Sequence, residues 1–165
     1  MNSEIYWINE DKIGDQRIGT MARPRGDDWL ADEINHLKNH KVDCLVSLLD
    51  PSEMEELGLG EEKSLCEKHD IEFINFPIED VTTPKNERAF LDLVEQLTSR
   101  VLSAKKTVIH CRMGIGRSSI LAAAIMIKLG YAGKDVFDII EIYRGLEVPD
   151  TEEQRDWILG IEGKL

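Results

Sequence analysis

At 165 residues the chain is the size of one domain and long enough to bury a substantial core. Its 42% hydrophobic and 32% charged residues fit a folded globular protein and exclude a disordered one. A formal net charge of -12, with no Lys/Arg-rich run, argues against nucleic acid and anionic lipid surfaces as partners. Three scattered cysteines, Cys44, Cys66 and Cys111, with no CxxC pair, support neither a disulfide framework nor a structural zinc site. The opening MNSEIYWINEDK lacks the basic and apolar regions of a secretory signal. The longest apolar run, Ile120–Ile127, falls far short of the ~20 residues that span a bilayer. The expected home is the reducing cytoplasm, where a thiol stays free.

In chain order, short β-type runs are expected at Ile5–Ile8, Arg17–Met21, Cys44–Leu48, Glu72–Phe76 and Thr107–His110. Between them, Asp28–Asn39 carries Trp29, Leu30, Ile34 and Leu37 on one helical stripe. Asp50-Pro51-Ser52-Glu53 reads as a capping box with proline in the first turn. Glu61–His69 is a further helix. Thr83-Pro84 is expected to open a longer one, with Phe90, Leu91, Val94, Leu97, Val101 and Leu102 as its apolar face. Arg117–Leu129 is almost wholly apolar and so reads as a buried central helix ended by Gly130. Lys134–Tyr143 and Glu152–Glu162 complete the chain, the last announced by the capping box Thr151-x-x-Gln154. No repeat or low-complexity linker divides residues 1–165, so one domain is expected. Strands alternating with helices predict an α/β fold, a mainly parallel central sheet with helices on both faces.

The chemistry concentrates between the last strand and the apolar helix. His110-Cys111-Arg112-Met113-Gly114-Ile115-Gly116-Arg117-Ser118 must turn sharply at the carboxyl end of the sheet, where α/β proteins place ligands. Gly114 and Gly116 let successive N–H groups point inward, and such a nest at a helix N-terminus binds anions. Arg117 adds a planar fork suited to two phosphate oxygens. The same field favours the Cys111 thiolate, predicting a pKa below the free value of about 8.5. A thiolate beneath a phosphoryl group is a nucleophile, with a cysteinyl-phosphate as its product. Ser118 can hydrogen-bond the sulfur when it departs.

At these residues the sequence resembles the protein tyrosine and dual-specificity phosphatases, whose signature is HCxxGxxR followed by Ser or Thr. His110, Cys111, Gly114, Arg117 and Ser118 match it, and the resemblance extends from about Asp43 to the C-terminus. It implies a general acid on an upstream loop. Phe76-Pro77-Ile78-Glu79-Asp80 looks like that loop, in the Pro-Ile-x-Asp form of small dual-specificity phosphatases related to the kinase-associated phosphatases. The role passes to Asp80, with Glu79 as the rival. His110 is expected behind the nucleophile, setting its electrostatics. Residues 112–117 would cradle the substrate phosphate.

The resemblance requires neither metal nor cofactor. It implies a phosphoprotein substrate, phosphotyrosine with or without phosphoserine and phosphothreonine, and a monomer is expected. Phosphoinositide phosphatases often carry lysines within the loop, and Arg112-Met113-Gly114-Ile115-Gly116 has none. RNA 5′-triphosphatases need a basic track. A silent phosphate-binding module would have lost the cysteine, the arginine or the acid, and all three are present. The resemblance offers Gln154 as a glutamine that places the hydrolytic water, but its capping box explains it without chemistry; Arg23, Arg25 and Arg144 are read as solvent-exposed or as approaching the cleft. Cys44 and Cys66 are read as structural.

Overall fold

The computed structural model describes residues 2–165, and the sheet and the helices packed on it position everything that follows. Five strands, β1 (Tyr6–Trp7), β2 (Ile18–Met21), β3 (Cys44–Ser47), β4 (Glu72–Asn75) and β5 (Thr107–His110), lie in the order β1-β2-β5-β3-β4. Only β1 runs antiparallel. In register, His110 at the end of β5 sits beside Met21 of β2 and Ser47 of β3, so three parallel strands end together beneath Cys111.

The helices are α1 (Leu30–Asn39), α2 (Pro51–Glu56), α3 (Glu62–Lys68), α4 (Glu87–Leu102), α5 (Arg117–Lys128), α6 (Gly133–Arg144) and α7 (Glu152–Ile161). Alternating side chains of the strands serve two cores. Cys44, Val46 and Ile109 face the layer of α4, α5, α6 and α7, whereas Leu45 and Val108 face that of α1 and α3. Almost every residue of α5 is buried, because α4, α6 and α7 pack around it and β2 and β5 underlie it. The expected α/β architecture with both faces covered is the one observed.

Four details differ from the sequence reading. Asp28 and Trp29 form a 3-10 turn ahead of α1, and Trp29 is 55% exposed instead of lying on the helical stripe. β1 keeps only two residues of the expected Ile5–Ile8 run. α4 starts at Glu87, because the Asn86 side chain accepts the Ala89 N–H at 3.0 Å, and Thr83-Pro84 stays in the loop. Leu102 is 70% exposed, since Val101 takes the inward position of the last turn and the helix ends one residue later.

One buried pair ties the end of β5 to the opposite layer. His110 Nε2 lies 3.0 Å from both carboxylate oxygens of Glu62, and neither side chain has measurable exposure. Removing Glu62 leaves the His110 ring nitrogen buried without its hydrogen-bond partner. Glu62→Ala is expected to destabilise the fold by about 1–3 kcal/mol; a urea unfolding midpoint unchanged from wild type would contradict this role.

Candidate active site

The turn from β5 into α5 has the shape that its glycines permit. Gly114 takes φ 70°, and a Cβ there would stand 2.7 Å from the Met21 carbonyl oxygen, so the loop lies directly on the end of β2. Gly116 is equally crowded, because a Cβ would collide with the Asp150 carboxylate. Among the described residues, no N–H from 112 to 118 donates to a backbone carbonyl. A run of uncommitted donors at the start of a helix is the physical form of an anion nest. Two arginines fix the loop from outside. The Arg23 N–H donates to the Arg112 carbonyl at 3.1 Å. Arg144 of α6 donates to the carbonyls of Gly114 at 3.0 Å and Met113 at 3.1 Å, with its guanidinium over the Tyr6 ring.

Cys111 is buried at the base of this loop, with its Sγ 3.5 Å from the Ser118 hydroxyl oxygen. Arg117 is 1% exposed and is held on three sides. Its Nη1 donates to Glu53 Oε1 at 2.7 Å and to the Ile78 carbonyl at 2.8 Å. Its Nη2 donates to Glu53 Oε2 at 3.0 Å and pairs with Asp80 Oδ1 at 3.0 Å. Arg117 Nε alone is buried with no partner among the described residues. Burial opposes the charge on Arg117, but Glu53, Cys111 and Asp80 outweigh it and raise its pKa.

The structure therefore brings Cys111, Arg117, Ser118 and Asp80 together, with His110 behind them. Asp80 follows Ile78, which is anchored by its N–H to the Leu48 carbonyl and by its own carbonyl to Arg117. Glu79 points elsewhere, toward Lys85 at 3.5 Å on the surface. Within the loop, Met113 is 59% exposed at the rim and Ile115 is half-buried. The Arg112 guanidinium turns to Glu53 and Glu56 on α2, so only its backbone remains to meet a phosphate. Arg25 is engaged with Glu33 at 2.6 Å and lies over Trp29, away from the loop. Burial pushes the Cys66 thiol up to about 12 and raises that of Cys44 as well. Both are therefore inert protonated thiols, and Cys44 sits at the opposite end of the sheet from Cys111.

Three contributors were missed by sequence reasoning. Glu53 looked like a capping residue, and it is one, accepting the Asp50 N–H at 3.2 Å. Its carboxylate also clamps Arg117, a long-range contact with no local signal. Asp150, on the turn before α7, stands against Gly116; desolvation raises its pKa, Asp80 adds to the rise and Arg117 opposes it. Gln154 forms the expected capping box with Thr151 but is completely buried, and its Nε2 donates to the Thr82 carbonyl at 3.1 Å.

The loop of Asp80 carries backbone strain. Val81 adopts φ 55°, a conformation unfavourable for a β-branched residue. Such a residue costs roughly 1–3 kcal/mol and persists only where its surroundings hold it.

Comparison with known proteins matches this geometry to one family. Residues 31–160 fit the family model described as dual specificity phosphatase, catalytic domain. The chain belongs to that family. The match starts upstream of Asp43, taking in α1 as well. Over 119 residues the chain is 29% identical to the tyrosine-protein phosphatase vhp-1 of Caenorhabditis elegans, covering 70% of this chain and 18% of that protein. Over 91 residues it is 30% identical to human cyclin-dependent kinase inhibitor 3, covering 54% of this chain and 42% of the relative. The chain thus spans less than half the length of these curated relatives.

Among solved structures, a kinase associated phosphatase with its catalytic-site cysteine replaced by serine superposes with a TM-score of 0.90. That likeness has 21% identity and covers 100% of this chain and 97% of the other. The active form of Tk-PTP gives a TM-score of 0.77 at 23% identity, covering 98% and 97%. These likenesses establish the fold. Family membership itself rests on the matched residues.

The Glu53–Arg117 clamp has a pH signature. Burial opposes ionisation of Glu53, but the Arg117 hydrogen bond, the Asp50 N–H and the Arg117 charge together lower its pKa. A depressed carboxyl contributes stability that is full above its unfolded value, about 4.3, and is lost as pH falls through the lower folded value. The stability gap between wild type and Glu53→Gln should therefore be widest above roughly pH 5 and close on acidification. Urea midpoints measured across pH would contradict the clamp if that gap were constant.

Proposed function

We propose that this chain is a cysteine-dependent protein phosphatase of the tyrosine and dual-specificity kind. The observation that carries the reading is the buried Arg117. Its Nη1 and Nη2 are clamped by protein acceptors, its Nε is buried without a partner, and the N–H groups of the loop that follows Cys111 make no backbone hydrogen bond. No other cluster in the described residues joins a nucleophile to so many anion donors.

In the mechanism we infer, the phosphate monoester enters the loop with its equatorial oxygens on the backbone N–H groups and Arg117. The Cys111 thiolate attacks phosphorus, and the bond from phosphorus to the ester oxygen breaks. Asp80 gives its proton to that departing oxygen. Water then attacks the cysteinyl-phosphate, its proton passes to the Asp80 carboxylate, and the sulfur leaves as thiolate with the Ser118 hydroxyl donating to it. The cycle returns every group to its starting state without metal or cofactor. His110 positions the base of the loop through Glu62.

Phosphotyrosine is the substrate we favour, with phosphoserine and phosphothreonine as further targets. The loop carries no lysine to meet extra inositol phosphates, and the net charge of -12 disfavours RNA. Residues 1–165 act on this reading as one monomeric catalytic domain. A free thiol suits the reducing cytoplasm, and no helix among the described residues is long and apolar enough to cross a membrane.

Two measurements test the assignment. Cys111→Ser is expected to abolish hydrolysis of para-nitrophenyl phosphate while binding of tungstate, a phosphate analogue, survives; undiminished turnover would overturn the nucleophile. Asp80→Asn is expected to slow turnover of phosphotyrosine peptide on the order of 10²–10⁴-fold, and Glu79→Gln to leave it near wild type. A larger effect of Glu79→Gln would reverse the two acids.

A further inference from the structure

The segment that presents Asp80 is closed mainly upon itself. The Val81 N–H bonds to Asp80 Oδ1 at 3.0 Å, and Thr82 turns both its N–H and its hydroxyl to the Glu79 carbonyl. These contacts shape the turn without attaching it to the body of the protein. Beyond Ile78, attachment comes from the Asp80–Arg117 pair, an exposed Glu79–Lys85 pair, and the bond from Gln154 Nε2 to the Thr82 carbonyl. A substrate phosphate entering the loop would compete for Arg117, and an exposed ion pair contributes little. With Pro84 buried further along the loop, the Gln154 bond is then the buried hydrogen bond that remains next to Asp80.

Gln154 is well placed to serve as an anchor. It has no exposed surface, and its carbonyl oxygen accepts the Thr151 N–H at 3.2 Å. The same oxygen stands 3.0 Å from the position a Cβ on Gly116 would occupy. One amide therefore touches the start of α7, the loop around Cys111 and the loop of Asp80. Strain at Val81, next to Asp80, demands such an external hold.

We propose that Gln154 is a positioning residue that holds Asp80 over the leaving oxygen by fixing Thr82. This rests on the phosphatase reading above. Its consequence is selective: proton donation matters most when the leaving alcohol is a poor leaving group and little when it is a good one. Loosening Thr82 should leave the attack of Cys111 intact while weakening protonation.

Gln154→Glu separates this role from helix capping. Glutamate serves equally in a capping box and can still accept the Thr151 N–H, but it cannot donate to the Thr82 carbonyl when ionised. The new carboxylate is buried beside the anion nest, so a lower melting temperature and weaker tungstate inhibition are expected, but both effects bear on the two esters alike and cancel in their ratio. The ratio of turnover for phenyl phosphate to that for para-nitrophenyl phosphate should fall on the order of tenfold. In an Asp80→Asn background the same change should add no further loss in that ratio, because there is no acid left to position. Gln154→Met, without the amide, provides the same comparison should a buried carboxylate disturb folding. Equal losses on both esters, or a full additional loss in the Asp80→Asn background, would overturn the proposal. Wild-type protein that turned over neither ester would overturn the phosphatase reading itself, whereas active wild type with an unchanged ratio in both variants would overturn only the Gln154 anchor.

Discussion

Burying a guanidinium is costly unless its protons find acceptors, and much of the architecture around Arg117 serves that demand. α2 supplies the Glu53 carboxylate, the loop after β4 supplies the Ile78 carbonyl and Asp80, and α5 sets the height of Arg117 above the sheet. Each partner comes from a different part of the chain. The clamp therefore fixes the distance between the loop of Cys111 and the loop of Asp80, which neither loop could set alone. Glu53 makes this compact: a single carboxylate closes the cap of α2 and neutralises the arginine.

The same logic of shared side chains recurs across the site. Arg144 reaches from α6 to the two loop carbonyls at Met113 and Gly114, so a helix with no catalytic group still shapes the nest. His110 continues β5 upward into the loop while Glu62 of α3 holds its ring from the other layer. Cys111 thus belongs to the core of α4–α7, while His110 beside it is held from the opposite layer. The loop of Asp80 is built differently, with an exposed carboxylate and a strained Val81.

Much of this was legible in the sequence because it is local. Strand, glycine pair, arginine and buried helix follow one another within residues 107–128, and their spacing alone implied the turn and its chemistry. The parallel sheet followed from the alternation of β-type and helical patterns, and the mostly buried α5 from its lack of a polar face. What escaped was whatever depends on contacts between distant segments. Glu53 and Gln154 both announced themselves as capping residues, and a capping box gives no hint of what its side chain touches on the far side. The start of α4 was misplaced because Thr83-Pro84 was read as the opening, whereas the Asn86 side chain caps the helix three residues later. Leu102 was misjudged because periodicity does not reveal that a helix ends one residue later.

The account stands on a covalent bond between Cys111 and phosphorus. Rapid acid quenching of wild-type protein during turnover of a phosphotyrosine peptide, followed by peptide mapping in a mass spectrometer, addresses that bond directly. A phosphoryl group on the peptide that contains Cys111, appearing and decaying at rates compatible with turnover, is the predicted result. Full turnover with that peptide never phosphorylated, or with the phosphoryl group on another residue, would contradict it.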